Sequence, residues 1–134
     1  MELILQGWLC HNYEDNIAIS QSKDSYCATG LSESIMDYFN YEKVDIGLGK
    51  KVTIIKNANL RCWFSDEQCT LEEAQMNFYA YMITGDLLTQ GHYTGYSEWT
   101  IIDFVVENLI IGGHDLNREL EGHIGQYVHL ILTD

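Results

Sequence analysis

The sequence predicts an α+β domain. Its frame is a small curved, mostly antiparallel sheet, partly open and barrel-like, with two main helices and one short helix. Three observations lead there. The 134 residues suit a single compact domain spanning 1–134, and 46% hydrophobic residues with nine Tyr, four Phe and three Trp supply a core. Strand-like and helix-like segments follow one another as β β α β β α β α β with connections of hairpin length, which favours antiparallel pairing over parallel crossovers. Proline is absent, and no repeat, Gly/Ser tract or low-complexity run divides the chain. An open sheet with helices on one face is the alternative architecture.

The elements follow in order. Glu2 to His11 forms a strand, and the turn-forming cluster Asn12, Glu14, Asp15 and Asn16 returns the chain through Ile17, Ala18 and Ile19 as a hairpin. Ser32 is placed to cap a short helix with Ile35, Met36 and Phe39 on one side, after which Gly47 and Gly49 break the chain. Lys51 to Ile55 and Leu60 to Phe64 are strand-like, with a bulge or turn at Asn57 and Asn59. Thr70 and Glu73 make a capping box; Leu71, Ala74, Phe78 and Met82 recur at helical spacing, and Gly85 sits where a C-cap glycine belongs. A loop rich in Gly and Tyr (Gly91, Tyr93, Gly95, Tyr96) leads to a half-buried strand from Trp99 to Ile111. In that strand Ile102, Phe104, Val106 and Ile110 face one way, Asp103 and Glu107 the other. Gly112 and Gly113 end it, Asp115 caps a helix stacking Leu116, Leu120 and Ile124 until Gly125, and Gln126 to Leu132 is the last strand.

Charge excludes several functions. Lys and Arg number 7 against 20 Asp and Glu, for a net charge of −13 and a pI near 4.5. A nucleic-acid binder that neutralises phosphates needs clustered bases, and a polybasic membrane contact needs the same, so neither direct nucleic-acid nor membrane binding is expected. The acids are unevenly spread: residues 62–134 carry twelve of them and one basic residue, Arg118. Met1 to Cys10 lacks a positive n-region and its apolar run is broken by Gln6 and Gly7, so no signal peptide is expected. The most apolar stretch, Trp99 to Gly113, carries Asp103 and Glu107, which argues against a membrane span. The expectation is a cytoplasmic protein whose four cysteines, Cys10, Cys27, Cys62 and Cys69, are free thiols.

No motif of catalytic specificity is present, and no catalytic residue, cofactor or metal is assigned. Cys62 and Cys69 do not make a C-x-x-C pair, and a site built from Cys10, His11, Cys62 and Cys69 would require them to converge in space. His114 and Asp115 follow two glycines at a strand-to-helix junction, where Asp115 is read as the cap and His114 as a cover for the helix start. Asp103 and Glu107 stand about 13 Å apart along a strand, wide for a glycosidase pair, and belong to a solvated sheet face or an acidic contact surface. Tyr93, Tyr96 and Trp99 are residue types enriched at binding hot spots, which makes Gly91 to Trp99 the expected contact segment.

The segments Lys51-Val52-Thr53-Ile54, Cys62-Trp63-Phe64-Ser65-Asp66 and Gly112-Gly113-His114-Asp115-Leu116 resemble stretches of short bacterial and phage proteins, a resemblance that brings no activity with it. In composition the chain is similar to small acidic immunity and inhibitor proteins. Three function classes follow. The first is a non-enzymatic acidic protein that neutralises a basic protein partner such as a nuclease toxin or another nucleic-acid enzyme, with Tyr93, Tyr96, Trp99, Asp103 and Glu107 at the contact. The second is a small barrel-like module that binds a nucleotide, sugar or other small ligand through the aromatic loop, and the third an enzyme with a Cys/His/Asp site.

Overall fold

The structure is a computed structural model that describes residues 2–12, 16–23, 30–31, 34–35, 44–47, 50–94 and 103–134. Its elements are β1 (Glu2–His11), β2 (Ile17–Ser20), β3 (Val44–Gly47), β4 (Lys50–Ser65), α1 (Leu71–Asn77), β5 (Tyr81–Thr94), β6 (Asp103–Ile111), β7 (His114–Asp115), α2 (Leu116–Glu121) and β8 (Tyr127–Thr133). The eight strands form one sheet in the order β2-β1-β8-β4-β5-β6-β7, with β3 also on β4, and every strand pairing is antiparallel. The sheet curls into a half-barrel carrying two helices among the described residues.

The two faces follow from the pleat. Leu3 and Leu9 of β1, Leu60 and Cys62 of β4, and Val128, Leu130 and Leu132 of β8 point to the main core, together with Leu116 and Leu120 of α2. This is the inner face. On the outer face Trp63 and Ile131 are covered by Ala74 of α1, forming a second, smaller cluster. β8 is therefore buried on both sides, from Tyr127 to Leu132.

Several expectations hold at residue level. β1 and β2 pair as a hairpin with Leu9 opposite Ile19. The capping box at α1 is complete, with the Glu73 N–H donating to Thr70 Oγ1 (3.2 Å) and the Thr70 N–H to the Glu73 carboxylate (3.3 Å). Asp115 caps α2 by accepting the Asn117 N–H at 3.0 Å. Gly112 and Gly113, at φ of 55° and 83°, make the two-residue turn into β7.

Other expectations are corrected. The helix that begins at Thr70 stops at Asn77, because Phe78 is already extended and Tyr81 pairs with Cys62 of β4. Phe78 and Met82 are four residues apart, a spacing that suits one face of a strand as well as one side of a helix. From Tyr81 on, period two wins: Ile83 and Leu87 are buried while Met82 and Asp86 are exposed. Gly85 is accordingly a strand residue, not a helix cap. The stretch Gly91 to Thr94, read as loop, is the end of β5 and pairs with β6. In β6 the register shifts opposite Gln90 and Gly91, skipping Glu107, so that beyond this bulge Leu109 and Ile111, not Ile110, are the fully buried residues. Trp99 to Ile102 lie outside the described residues. The strands read on either side of Asn57 are one strand, β4, with the bulge at Asn57 (φ 55°), and Val44–Gly47 adds a strand the sequence reading did not contain. The third helix of that reading is not matched: Leu31, Ser34 and Ile35 have helical backbone, and Ser32, Met36 and Phe39 lie outside the described residues.

Two contacts fix the long strands. Gly85 backs onto Gly112, where a Cβ on Gly85 would sit 2.6 Å from the Gly112 Cα, and the φ of 142° at Gly85 already disfavours a side chain. Asp86 holds the β4 bulge by accepting the Asn57 N–H at 3.1 Å and the Lys56 ammonium at 3.3 Å. Those bonds, the Asn57 one foremost, keep its carboxyl below the ordinary range.

Gly85→Ala is expected to lower the free energy of unfolding from urea titration by roughly 1–3 kcal/mol more than Gly113→Ala, because overpacking adds to the backbone cost. At Gly113 (φ 83°) a Cβ meets nothing within 4 Å. Equal losses would mean that the close approach of Gly112 is unimportant.

A carboxyl depressed by folding contributes stability that is present above its unfolded value, about pH 4, and is lost as pH falls through its folded value. The stability difference between wild type and Asp86→Asn should therefore narrow as pH drops below about 4. A gap that stays constant from neutral pH down to acid unfolding would contradict the role given to this carboxylate.

Candidate binding surface

Of the residues read as a contact segment, the backbone places Tyr93 opposite Phe104 and Asp103 opposite Thr94 at the far end of the β5–β6 pair. Glu107 stands at the bulge, which interrupts the simple alternation that related it to Asp103. Tyr96 and Trp99 lie outside the described residues.

The exposed acids of the C-terminal half fall into distinct groups. Asp66, Glu67, Glu72 and Glu73 crowd the turn after β4 and the first turn of α1, and all four are exposed. Ser65 shapes this turn, its hydroxyl donating to the Glu67 carbonyl at 2.6 Å and accepting the Glu67 N–H at 3.2 Å. Asp66 accepts from the Gln126 amide at 3.0 Å, tying the turn to the start of β8. Glu119 and Glu121, on α2, meet His114 and His11, each at 2.9 Å. Arg118, the one basic residue after Arg61, borders an open depression of about 390 Å³ with His114, Asp115 and Glu119. Tyr81 lies beside this group, and burial first, then the charge and hydrogen bond of Glu119, push its hydroxyl up to about 12.

Next to the first acidic group stands an apolar one that the sequence reading missed. α1 buries Ala74 against the outer face, yet Met76 is 84% exposed, Phe78 42% and Tyr79 100%. Met82, 60% exposed, pairs with Arg61 and so shares the outer face with Trp63. An open depression of about 320 Å³ runs along Gln75 to Tyr79. Phe78 and Met82 had been placed on the packed stripe of a longer helix. The available signal was that Met76 and Tyr79 are large and apolar yet fall off that stripe.

Among the described residues the thiols do not converge. Cys62 is in the inner core, where burial pushes its thiol up to about 12. Cys10 is half-buried, its Sγ 3.7 Å from the Ala18 carbonyl, and burial raises its thiol as well. Cys69 lies with its Sγ 3.9 Å from Nε2 of His129. That nitrogen sits 2.8 Å from the Cys69 carbonyl, which can only accept, so it carries the hydrogen and is not the base for the thiol. Among the described residues Cys10, Cys62 and Cys69 are free, and no group of three or more His, Cys, Asp and Glu is placed to hold a metal. The site considered from Cys10, His11, Cys62 and Cys69 is thus not assembled, and Cys27 lies outside the described residues.

Among the described residues no helix is long and apolar enough to cross a membrane. Comparison of the chain with protein-family models, with curated proteins and with solved structures returns no match in any of the three.

Proposed function

We propose that the chain is a non-enzymatic acidic binding protein that takes and neutralises a basic protein, such as a nuclease toxin or another enzyme acting on nucleic acid. The observation that carries this reading is the one-sided charge of residues 62–134, twelve acids against Arg118. Asp66, Glu67, Glu72, Glu73 and Asp86 are all exposed, so this charge faces solvent and is open to a basic surface. Such a field raises the encounter rate with a basic surface and repels nucleic acid. Three free thiols among the described residues suit a reducing compartment such as the cytoplasm. The Gly91 to Trp99 segment, with Asp103 and Glu107, is a proposed part of the contact. Carboxylates there act mainly on association, and the tyrosines mainly on residence time.

Affinity capture from lysate, eluted in rising salt and identified by mass spectrometry, is expected to yield a basic protein whose purified form rebinds. With that protein, Asp103→Asn with Glu107→Gln should slow association and flatten its salt dependence. Tyr93→Ala or Tyr96→Ala should speed dissociation at a cost of about 1–3 kcal/mol. A gel shift of DNA or RNA at micromolar protein and physiological salt would refute the reading, as would a captured small molecule in place of a protein.

A further inference from the structure

The outer shoulder of the molecule, where α1 ends and β5 begins, combines features that are rarely left together on a monomer's surface. Met76, Phe78, Tyr79 and Met82 are large, apolar and exposed within seven residues of chain. Thioether and aromatic side chains are adaptable and high-yield contacts, and the former are over-used where a surface accepts more than one apolar shape. An open depression of about 320 Å³ is lined by Met76, Phe78 and Tyr79 with Gln75 and Asn77. Asp66, Glu67, Glu72 and Glu73 lead into this patch from the other end of α1, and Glu72 stands one helical turn before Met76 on the same side.

We infer that this shoulder is a docking site for a basic amphipathic segment of a protein, with apolar side chains seated on Met76, Phe78, Tyr79 and Met82 and Lys or Arg paired with the acids around Glu72. The inference rests on the proposed basic partner and gives that partner a second contact in addition to the Gly91 to Trp99 segment proposed above. Charge selects the occupant. A second copy of this chain brings its own acidic rim and its own net charge of −13 against the first, and an anionic bilayer is repelled in the same way. A basic segment gains from both parts of the surface, burying apolar area while its cations meet the rim.

The test uses the full chain and two fluorescent synthetic peptides of about five helical turns. One has Lys on one face and Leu on the other; its analogue keeps every Lys and replaces each Leu by Gln. The wild type should bind the amphipathic peptide more tightly than the analogue in anisotropy titrations at physiological salt. The triple variant Met76→Gln, Tyr79→Ser, Met82→Thr changes only exposed side chains, and should weaken that peptide at least about tenfold while leaving the analogue unchanged. Its melting temperature should match the wild type. Glu67→Gln with Glu72→Gln should slow association of both peptides. Amphipathic binding that survives the triple variant overturns this surface and leaves the basic-partner reading standing. Failure of both peptides to bind the wild type, even at low salt, overturns that reading as well. A wild-type dimer in sedimentation, or pelleting with anionic vesicles, lost in the triple variant would assign the patch to those occupants and overturn the inference.

Discussion

The sheet is one sheet because β8 pairs with β1 along one side and with β4 along the other. Without that strand the β1–β2 hairpin and the block from β3 to β7 share no ladder among the described residues. Its side chains have to satisfy two environments at once, and from Tyr127 to Leu132 every residue is buried. Val128, Leu130 and Leu132 fill the inner core, each worth roughly 1.5–3 kcal/mol against exposure. On the outer face Tyr127 stands edge-on between Trp8 and His129, with ring centroids 5.2 and 5.3 Å away. His129 is the one polar intruder in this strand's buried run, only 1% exposed. Its Nε2–H binds the Cys69 carbonyl, which anchors the turn before α1 to the centre of the sheet, while its Nδ1 is buried with no partner.

That anchored turn decides what the outer surface looks like. α1 rises only about 10 Å over its seven residues, enough to cover Trp63 and Ile131 and no more. The chain must be a strand again by Tyr81, which pairs with Cys62. Phe78, Tyr79 and Ala80 make the change in direction, and a crossing so short leaves Phe78 and Tyr79 exposed. Exposure at these positions therefore follows from topology. Their apolar character does not, since a short connection of this kind is ordinarily polar.

Much of the frame was legible because local chemistry and tertiary structure agreed. The β1–β2 hairpin, the Thr70–Glu73 box, the Asn57 bulge, the Gly112-Gly113 turn and the Asp115 cap each rest on residues close in sequence. Length was not legible where two periods coincide. Phe78 and Met82 fit a helical stripe and a strand face equally well, and only the ladder with β4 separates the two. The bulge at Glu107 was invisible for a related reason: a register shift is a property of two strands, and it moves the buried positions from Ile110 to Leu109 and Ile111. The acidic character of the candidate surface could be read from composition. Its apolar half left only one trace, Met76 and Tyr79 falling off the helical stripe, and their exposure follows from the short helix that leaves them outside.

Several of the individual acids have local work that explains an acceptor at that position and does not explain a charge. Asp115 caps a helix, Glu73 closes a capping box, Asp66 receives an amide and Asp86 holds a bulge. Asn, Ser, Thr or Gln could accept several of these bonds without adding to a net charge of −13. The missing bases are just as informative. On a solvated helix with Glu72 in its first turn, position 76 is where a Lys would form the stabilising i, i+4 pair. Here that position holds Met76, almost wholly in solvent, and Arg61, which pairs across the sheet with Met82, turns its guanidinium over the Trp63 ring at 5.7 Å. The first turn of α1 is thus negative, which the capping box and the helix dipole favour, but its end is apolar, which nothing in the isolated helix calls for, and the two together suit contact with a cationic, partly apolar surface.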